Sequence, residues 1–117
     1  KRQDINIGEK WSLERVNELR NEKRNILLNF TADWCLTCKV NERMVLSSKE
    51  FISMIENGEI AYLVADWTKY DPQITEELEK YKRAGVPLYL YWSQGSDEVK
   101  ILPAVLTKSI LYDNLKL

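Results

Sequence analysis

Residues 30–39 read Phe30-Thr31-Ala32-Asp33-Trp34-Cys35-Leu36-Thr37-Cys38-Lys39 and contain both cysteines of the chain. The pair follows a run of strand-forming residues and opens a helical pattern. A helix N-terminus carries about half a positive charge on its free amide groups, so a thiol there has its thiolate stabilised and its pKa lowered. We therefore expect Cys35 to be an exposed, attacking cysteine at a helix tip.

The spacing of the two cysteines predicts that they act together. Residues three apart share one helix face, so Cys35 and Cys38 come within disulfide range without movement of the backbone. Cys38, one turn deeper, is expected to be shielded and to resolve the mixed disulfide formed at Cys35. The pair would then be its own redox group, and we expect no other cofactor.

The cysteine pair has two other possible interpretations, a zinc site and a structural disulfide. A structural zinc site needs four ligands, and a chain with two cysteines and no histidine cannot supply them alone. A purely structural disulfide is disfavoured, because the loop it would close is very short and removes little entropy from the unfolded chain. The pattern favours a redox role, with a bystander pair as the alternative.

Length and composition indicate one domain, residues 1–117. The chain has 17 Lys plus Arg against 18 Asp plus Glu, so no broad attraction to nucleic acid or to an anionic membrane is expected. No apolar run reaches the roughly 20 residues that span a bilayer, and residues 1–9 lack the apolar core of a secretory signal. We expect the isolated domain to be monomeric.

Hydrophobic periodicity predicts helices that start near residues 11, 35, 48, 71 and 107, and Ser12, Asp71 and Thr107 are predicted as helix N-caps. Strands are predicted in four segments, residues 26–32, 60–65, 88–92 and 98–102. This order predicts an α/β fold with a mixed central sheet of about four strands and helices on both faces. Functional groups collect at the carboxyl ends of strands in such sheets, which is where Cys35 falls.

Glu42 and Pro87 are two further candidate functional residues. Glu42 lies four residues after Cys38, on the same helix face, where it would point toward the resolving sulfur and suit a proton acceptor. The alternative is a solvated glutamate. Pro87 stands at the head of a predicted strand and cannot donate into a ladder, so it marks a special backbone point. From the residues alone, a cis bond there is the less frequent outcome.

The combination of these motifs resembles a known family. Trp34-Cys35-x-x-Cys38-Lys39 after a buried strand, with Gly85-Val86-Pro87 before another, resembles thioredoxin-like proteins. Residues 30–39 with Glu42, 65–68 and 85–89 resemble more narrowly the C-terminal periplasmic domain of the DsbD-type thiol:disulfide interchange proteins. The likeness covers nearly the whole chain.

The resemblance implies a function. It implies a thioredoxin-like domain excised from a larger inner-membrane protein, which takes electrons from a transmembrane domain and passes them to a periplasmic domain. It implies Cys35 as the attacking cysteine, Cys38 as the resolving one, and Glu42 as an acidic residue that tunes them. The partner-binding surface would comprise Asp33, Trp34, Val86 and Pro87, with Pro87 in a cis-proline loop that pairs with the partner's backbone.

Asn29 departs from the family pattern. Many thioredoxins carry a buried aspartate at this position that assists proton transfer, and an amide cannot take up a proton. That duty would then fall to Glu42 or to water. Alternative functions are a free-standing thioredoxin-like reductase or isomerase, and a non-redox binding module whose disulfide stays closed.

Overall fold

Strand β2 (Ile26–Thr31) is the centre of the fold, and all six of its side chains are buried. In this computed structural model, which describes residues 7–115, β2 pairs in parallel with β3 (Ala61–Asp66) and antiparallel with β4 (Leu88–Trp92). A strand covered on both faces requires an almost continuous apolar run, and β2 has one apart from Asn29 and its last residue.

The other elements surround these three strands. The sheet order is β1-β3-β2-β4-β5, with β1 at Glu9–Lys10 and β5 at Val99–Leu102. The helices are α1 (Leu13–Asn21), α2 (Leu36–Asn41), α3 (Lys49–Glu56), α4 (Pro72–Lys80) and α5 (Lys108–Leu115). The predicted caps are present, since Ser12, Asp71 and Thr107 each accept a hydrogen bond from a backbone N–H of the following helix.

The mixed α/β class is confirmed, but the sheet has five strands where about four were predicted. The additional strand is β1, a two-residue edge strand that pairs in parallel with β3. Both of its side chains are exposed, so it leaves no hydrophobic pattern in the sequence. Its position depends on backbone pairing, continued by the Trp11 N–H, which donates to the Val64 carbonyl at 2.8 Å.

Side chains of β2 alternate between two cores, one on each face of the sheet. Ile26, Leu28 and Phe30 pack on the face covered by α1 and α4. Leu27 packs on the opposite face, with residues of α3 and α5. Because side chains alternate along a strand, Asn29 and Thr31 share the face of Leu27. The polar residues of β2 are thereby directed to the side of the sheet that carries α2.

Helix α2 is shorter than predicted. The sequence predicts one helix from Cys35 to about Leu46, whereas α2 ends at Asn41 and continues as π-helical turns over Glu42–Leu46. Hydrophobic periodicity over five residues does not separate a π-helical pitch from an α-helical one. π-Helical insertions are frequent at functional sites, and this one begins at Glu42.

Candidate active site

The two cysteines lie just beyond the carboxyl end of β2 and are joined in a disulfide. Residues 32–34 connect β2 to Cys35, the N-cap of α2. Cys35 Sγ accepts a hydrogen bond from the Cys38 backbone N–H at 3.1 Å, and the two Cα atoms are 5.2 Å apart. The predicted pairing across one helical turn is therefore present. The same backbone donor is positioned to stabilise a thiolate on Cys35 when the disulfide opens.

The cysteines differ in accessibility less than the sequence predicts. Cys38 is fully buried, as expected, whereas Cys35 is 8% exposed rather than fully accessible. The cause is a small apolar cluster in which Ala32 and Val86 pack against the two cysteines. The residues on either side of Cys35 remain open, with Trp34 50% and Leu36 78% exposed. Cys35 therefore lies between two exposed apolar neighbours in the sequence, although its own side chain is largely covered.

The Val86–Pro87 loop lies beside the disulfide. Strands β2 and β4 are antiparallel, and Leu88 at the start of β4 pairs with Phe30 near the end of β2. This register brings the loop to the edge of the sheet where Cys35 lies. The Val86–Pro87 peptide bond is cis, the geometry implied by the resemblance, and the Val86 side chain contacts the cysteine cluster.

Glu42 is half-buried and engages two polar partners. Its Oε1 accepts from Lys39 Nζ at 3.0 Å and its Oε2 accepts from Asn29 Nδ2 at 3.1 Å. Within residues 7–115 the Glu42 carboxylate makes no hydrogen bond to the Cys38 sulfur; the only link between the two residues is the helical one from the Glu42 backbone N–H to the Cys38 carbonyl. The carboxylate contacts the Asn29 amide and the Lys39 ammonium group rather than the expected resolving sulfur. Lys39 Nζ also lies 3.7 Å from a carboxylate oxygen of exposed Asp33. Together these four residues form a polar chain from the buried strand to the surface.

A cavity of about 420 Å³ opens beside this polar chain. Its lining includes Asn29, Thr31, Glu42 and Tyr62. The Tyr62 hydroxyl accepts from Asn29 Nδ2 at 2.9 Å, and burial raises the pKa of this hydroxyl well above its usual value. Asn29 Oδ1 and Thr31 Oγ1 are buried and have no partner within the described part of the chain. Polar groups therefore form part of the cavity lining, which Glu42 shares with buried Asn29 and Thr31.

Trp34, which directly precedes Cys35, packs against two further aromatic residues, Trp67 and Tyr70. Trp34, predicted at the partner surface, is half exposed, whereas Trp67 is buried. Tyr70, in the loop before α4, was not identified from the sequence, yet it is 58% exposed and its ring stacks on Trp34. The sequence feature that could have identified Tyr70 is its position as a large aromatic residue in an otherwise polar loop.

Asn41 is a second residue that the sequence analysis missed. It is 2% exposed, and its Nδ2 donates to the Tyr89 hydroxyl and to the Ala104 carbonyl, each at 2.8 Å. Its Oδ1 accepts from the Leu106 N–H at 3.1 Å. One amide thus ties α2 to β4 and to the loop before α5. An asparagine on the apolar face of a helix is a signal of such a role.

Neither a metal cluster nor a spanning helix is found in the described residues. Across residues 7–115, no three or more His, Cys, Asp or Glu side chains are grouped to hold a metal ion. Over the same range, every helix is too short or too polar to cross a membrane.

Comparison with known sequences gives consistent matches. A family model described as thioredoxin-like matches residues 8–93. The thiol:disulfide interchange protein DsbD of Photorhabdus laumondii is 34% identical over 79 residues, which is 67% of this chain and 13% of that protein. DsbD 1 of Pseudomonas aeruginosa is 33% identical over 81 residues, 69% of this chain and 13% of that protein. The chain therefore spans about 13% of the length of these relatives.

Solved structures share the fold at lower identity. The C-terminal domain of Neisseria meningitidis DsbD in the oxidised form superposes with a TM-score of 0.68 at 18% identity, covering 92% of this chain and 97% of that domain. A thioredoxin from Thermus thermophilus superposes with a TM-score of 0.73 at 14% identity, and the match covers 96% of this chain and 86% of that thioredoxin. At these identities the likeness establishes the architecture, a mixed sheet between helices.

Proposed function

The chain belongs to the thioredoxin-like family, and from that premise we propose that it exchanges thiols and disulfides through Cys35 and Cys38. The observation that carries the proposal is the disulfide at the start of α2, with Cys38 fully buried and Cys35 at 8% exposure between two exposed neighbours, Trp34 and Leu36. Dithiol exchange requires one sulfur that a partner can reach and a second that is shielded from it, and of the two cysteines Cys35 is the more exposed.

Reduction of a partner takes two steps. The Cys35 thiolate attacks one sulfur of the partner's disulfide, a bond forms between them, and the partner's second sulfur leaves as a thiolate. Cys38 then loses its proton and attacks Cys35, the Cys35–Cys38 bond forms, and the partner's first sulfur leaves as a thiolate. Two electrons pass to the partner, and the domain becomes oxidised. A donor dithiol recharges it by the reverse steps.

Glu42 is the proposed acceptor for the Cys38 proton. It is the carboxylate one helical turn beyond Cys38 and borders the polar cavity. Asn29, which holds one Glu42 oxygen, cannot accept a proton itself. Asn29 and Lys39 therefore position the carboxylate that would receive the proton.

The named relatives suggest where this chemistry operates. They are thiol:disulfide interchange proteins about eight times longer than the matched segment, by the 13% coverage. We place residues 1–117 as one periplasmic domain of an inner-membrane protein, taking electrons from a transmembrane domain and passing them to a periplasmic acceptor domain. Asp33, Trp34, Val86 and Pro87 would form the surface that meets both partners.

Trapping of a mixed disulfide tests the assignment of the two cysteines. Cys38→Ser should accumulate a stable adduct with an oxidised partner or with a peptide disulfide, because no resolver remains. Cys35→Ser should form far less adduct, since the remaining thiol is buried. Equal trapping by both variants, or preferential trapping through Cys38, would overturn the assignment.

A separate measurement tests Glu42. Glu42→Gln should slow resolution of the mixed disulfide near neutral pH while leaving the attack by Cys35 nearly unchanged, because only resolution needs the Cys38 proton removed. Glu76→Gln, an exposed carboxylate on α4, is the matched control. Stopped-flow measurement of the two steps separates them, and equal slowing of both would count against the role.

A further inference from the structure

Two exposed aromatic rings form a continuous surface beside Cys35. Trp34 and Tyr70 are 50% and 58% exposed, and their rings stack with centroids 5.6 Å apart at 22°. Buried Trp67 supports both from below, at 6.0 Å from Trp34 and 5.0 Å from Tyr70. We call Trp34, Trp67 and Tyr70 the aromatic shelf.

Hydrogen bonds hold the aromatic shelf in place in the absence of a partner. Trp34 Nε1 donates to the Thr68 carbonyl at 3.1 Å, and Trp67 Nε1 donates to Thr75 Oγ1 at 2.8 Å. The Tyr70 backbone N–H donates to the Trp67 carbonyl at 3.0 Å. The shelf is therefore ordered before binding, which reduces the entropy lost when a partner docks.

The conformation of Tyr70 is unusual for its residue type. Its φ is +56°, in the left-handed region that glycine occupies readily and tyrosine rarely does. Glycine would fit this backbone better, and Tyr70, which is 58% exposed as a whole residue, contributes little to the core. The tyrosine ring at this position is thus better explained by contact with something outside the domain than by folding.

The location of the shelf restricts what that contact is. Trp34 directly precedes Cys35, so a partner whose disulfide reaches Cys35 must place neighbouring residues against the shelf. Charges of both signs surround it, with Asp33, Asp66 and Asp71 exposed, Lys69 exposed and Lys39 partly exposed. This mixture does not favour a strongly charged ligand, whereas two stacked rings offer a broad apolar face.

We propose that Tyr70 is a specificity-determining residue, which together with Trp34 binds an apolar or aromatic side chain next to the attacked cysteine of the partner. The inference rests on the proposed thiol:disulfide exchange and adds the class of partner sequence that is preferred. Exchange with a small disulfide that has no flanking residues should not depend on Tyr70.

Peptide disulfides test this directly. The substrates are short peptides, identical except for Phe, Leu or Ser after a single cysteine, which is activated as a mixed disulfide with thionitrobenzoate. The reduced domain is oxidised to its disulfide, and each peptide is released as a thiol together with one thionitrobenzoate ion, whose absorbance gives the rate. Hydroxyethyl disulfide is the substrate without flanking residues.

We expect the unmodified domain to prefer Phe over Ser by about tenfold, the equivalent of one good aromatic contact. Tyr70→Gly should reduce that preference to about twofold, mainly through KM, and its backbone suits the positive φ. Tyr70→Phe should retain the preference, and Leu13→Ser, at an exposed leucine on α1, is the control. Rates with hydroxyethyl disulfide should be the same for all four proteins.

Three results would overturn the proposal: no preference in the unmodified domain, an undiminished preference in Tyr70→Gly, or an equal loss of rate with hydroxyethyl disulfide in that variant. Failure of the exchange itself gives a different result, because the unmodified domain would then react with none of the disulfides.

Discussion

Replacing Asn29 by aspartate should make stability depend on pH in a way that the unmodified domain does not. Asn29 is fully buried and donates to Glu42 Oε2 at 3.1 Å. Asn29→Asp replaces that donor by a second carboxyl group at hydrogen-bond distance from the first. Two ionised carboxylates cannot share such a site without a large penalty, so the introduced carboxyl should retain a proton above its usual range.

The size of the effect follows from the geometry. Two unit charges about 4 Å apart repel by about 4 kcal/mol at an effective dielectric constant of about 20. The Glu42 side chain is 25% exposed and contacts Lys39, so we reduce the repulsion to about 2 kcal/mol. This raises the pKa of the introduced carboxyl by about 1.5 units, from about 3.9 in the unfolded chain to about 5.4.

The sign follows from proton binding. Between about pH 4 and pH 5.5 the folded variant holds a proton that the unfolded chain has released, so its stability falls as pH rises. The variant should lose about 2 kcal/mol in total relative to the unmodified domain, most of it between about pH 4 and pH 6, with a maximum slope of about 1 kcal/mol per pH unit. Below about pH 4 this penalty disappears.

Urea unfolding of the oxidised domain at a series of pH values measures the difference. The added variant Asn29→Asp/Glu42→Gln should have a smaller pH dependence, because the repelling charge is absent and only the burial of the introduced carboxyl still raises its pKa. A stability difference that is flat from pH 4 to pH 6, or a slope that is equally steep in the double variant, would refute the placement of Glu42 against Asn29.

Three further predictions concern stability. Asn41→Ala leaves buried backbone groups of the loop before α5 unpaired and should lower the free energy of unfolding by about 3 kcal/mol, whereas exposed Asn17→Ala should change it by less than about 0.5 kcal/mol. Stability should fall above about pH 10, because burial raises the pKa of Tyr62 and the unfolded chain releases that proton first; Tyr62→Phe should reduce this alkaline loss in urea titrations at high pH. Gly8→Ala would place a methyl group 2.6 Å from Val64 Cγ2 and should cost about 1–3 kcal/mol in thermal or urea unfolding.

The sequence was sufficient for the features encoded by local pattern. The apolar run of β2 and the cysteine spacing predicted the central strand and the disulfide, because both depend on neighbouring residues. Strand β1 was missed because its two exposed side chains carry no period. The exposure of Cys35 was overestimated because Val86, distant in sequence, packs against it.

The polar contacts of Glu42 and Asn41 could not be predicted from the sequence, because they join residues that are distant along the chain. Glu42 was correctly placed one turn from Cys38, but its partner Asn29 lies on a different element, 13 residues away. Asn41 contacts β4 and the loop before α5, and Tyr70 contacts Trp34 and Trp67. Hydrophobic periodicity gives no indication of such contacts. Local chemistry is therefore readable from the sequence, whereas the surroundings that tune it require the fold.

A redox titration tests the central claim most directly. The domain is equilibrated in buffers of defined reduced to oxidised dithiothreitol or glutathione ratio, quenched and alkylated, and the closed and open forms are counted by mass. We predict a reversible two-electron transition between the Cys35–Cys38 disulfide and the dithiol, with a tenfold change in ratio per about 30 mV. A folded domain whose disulfide stays closed across the whole range would contradict the account and leave a binding module in its place.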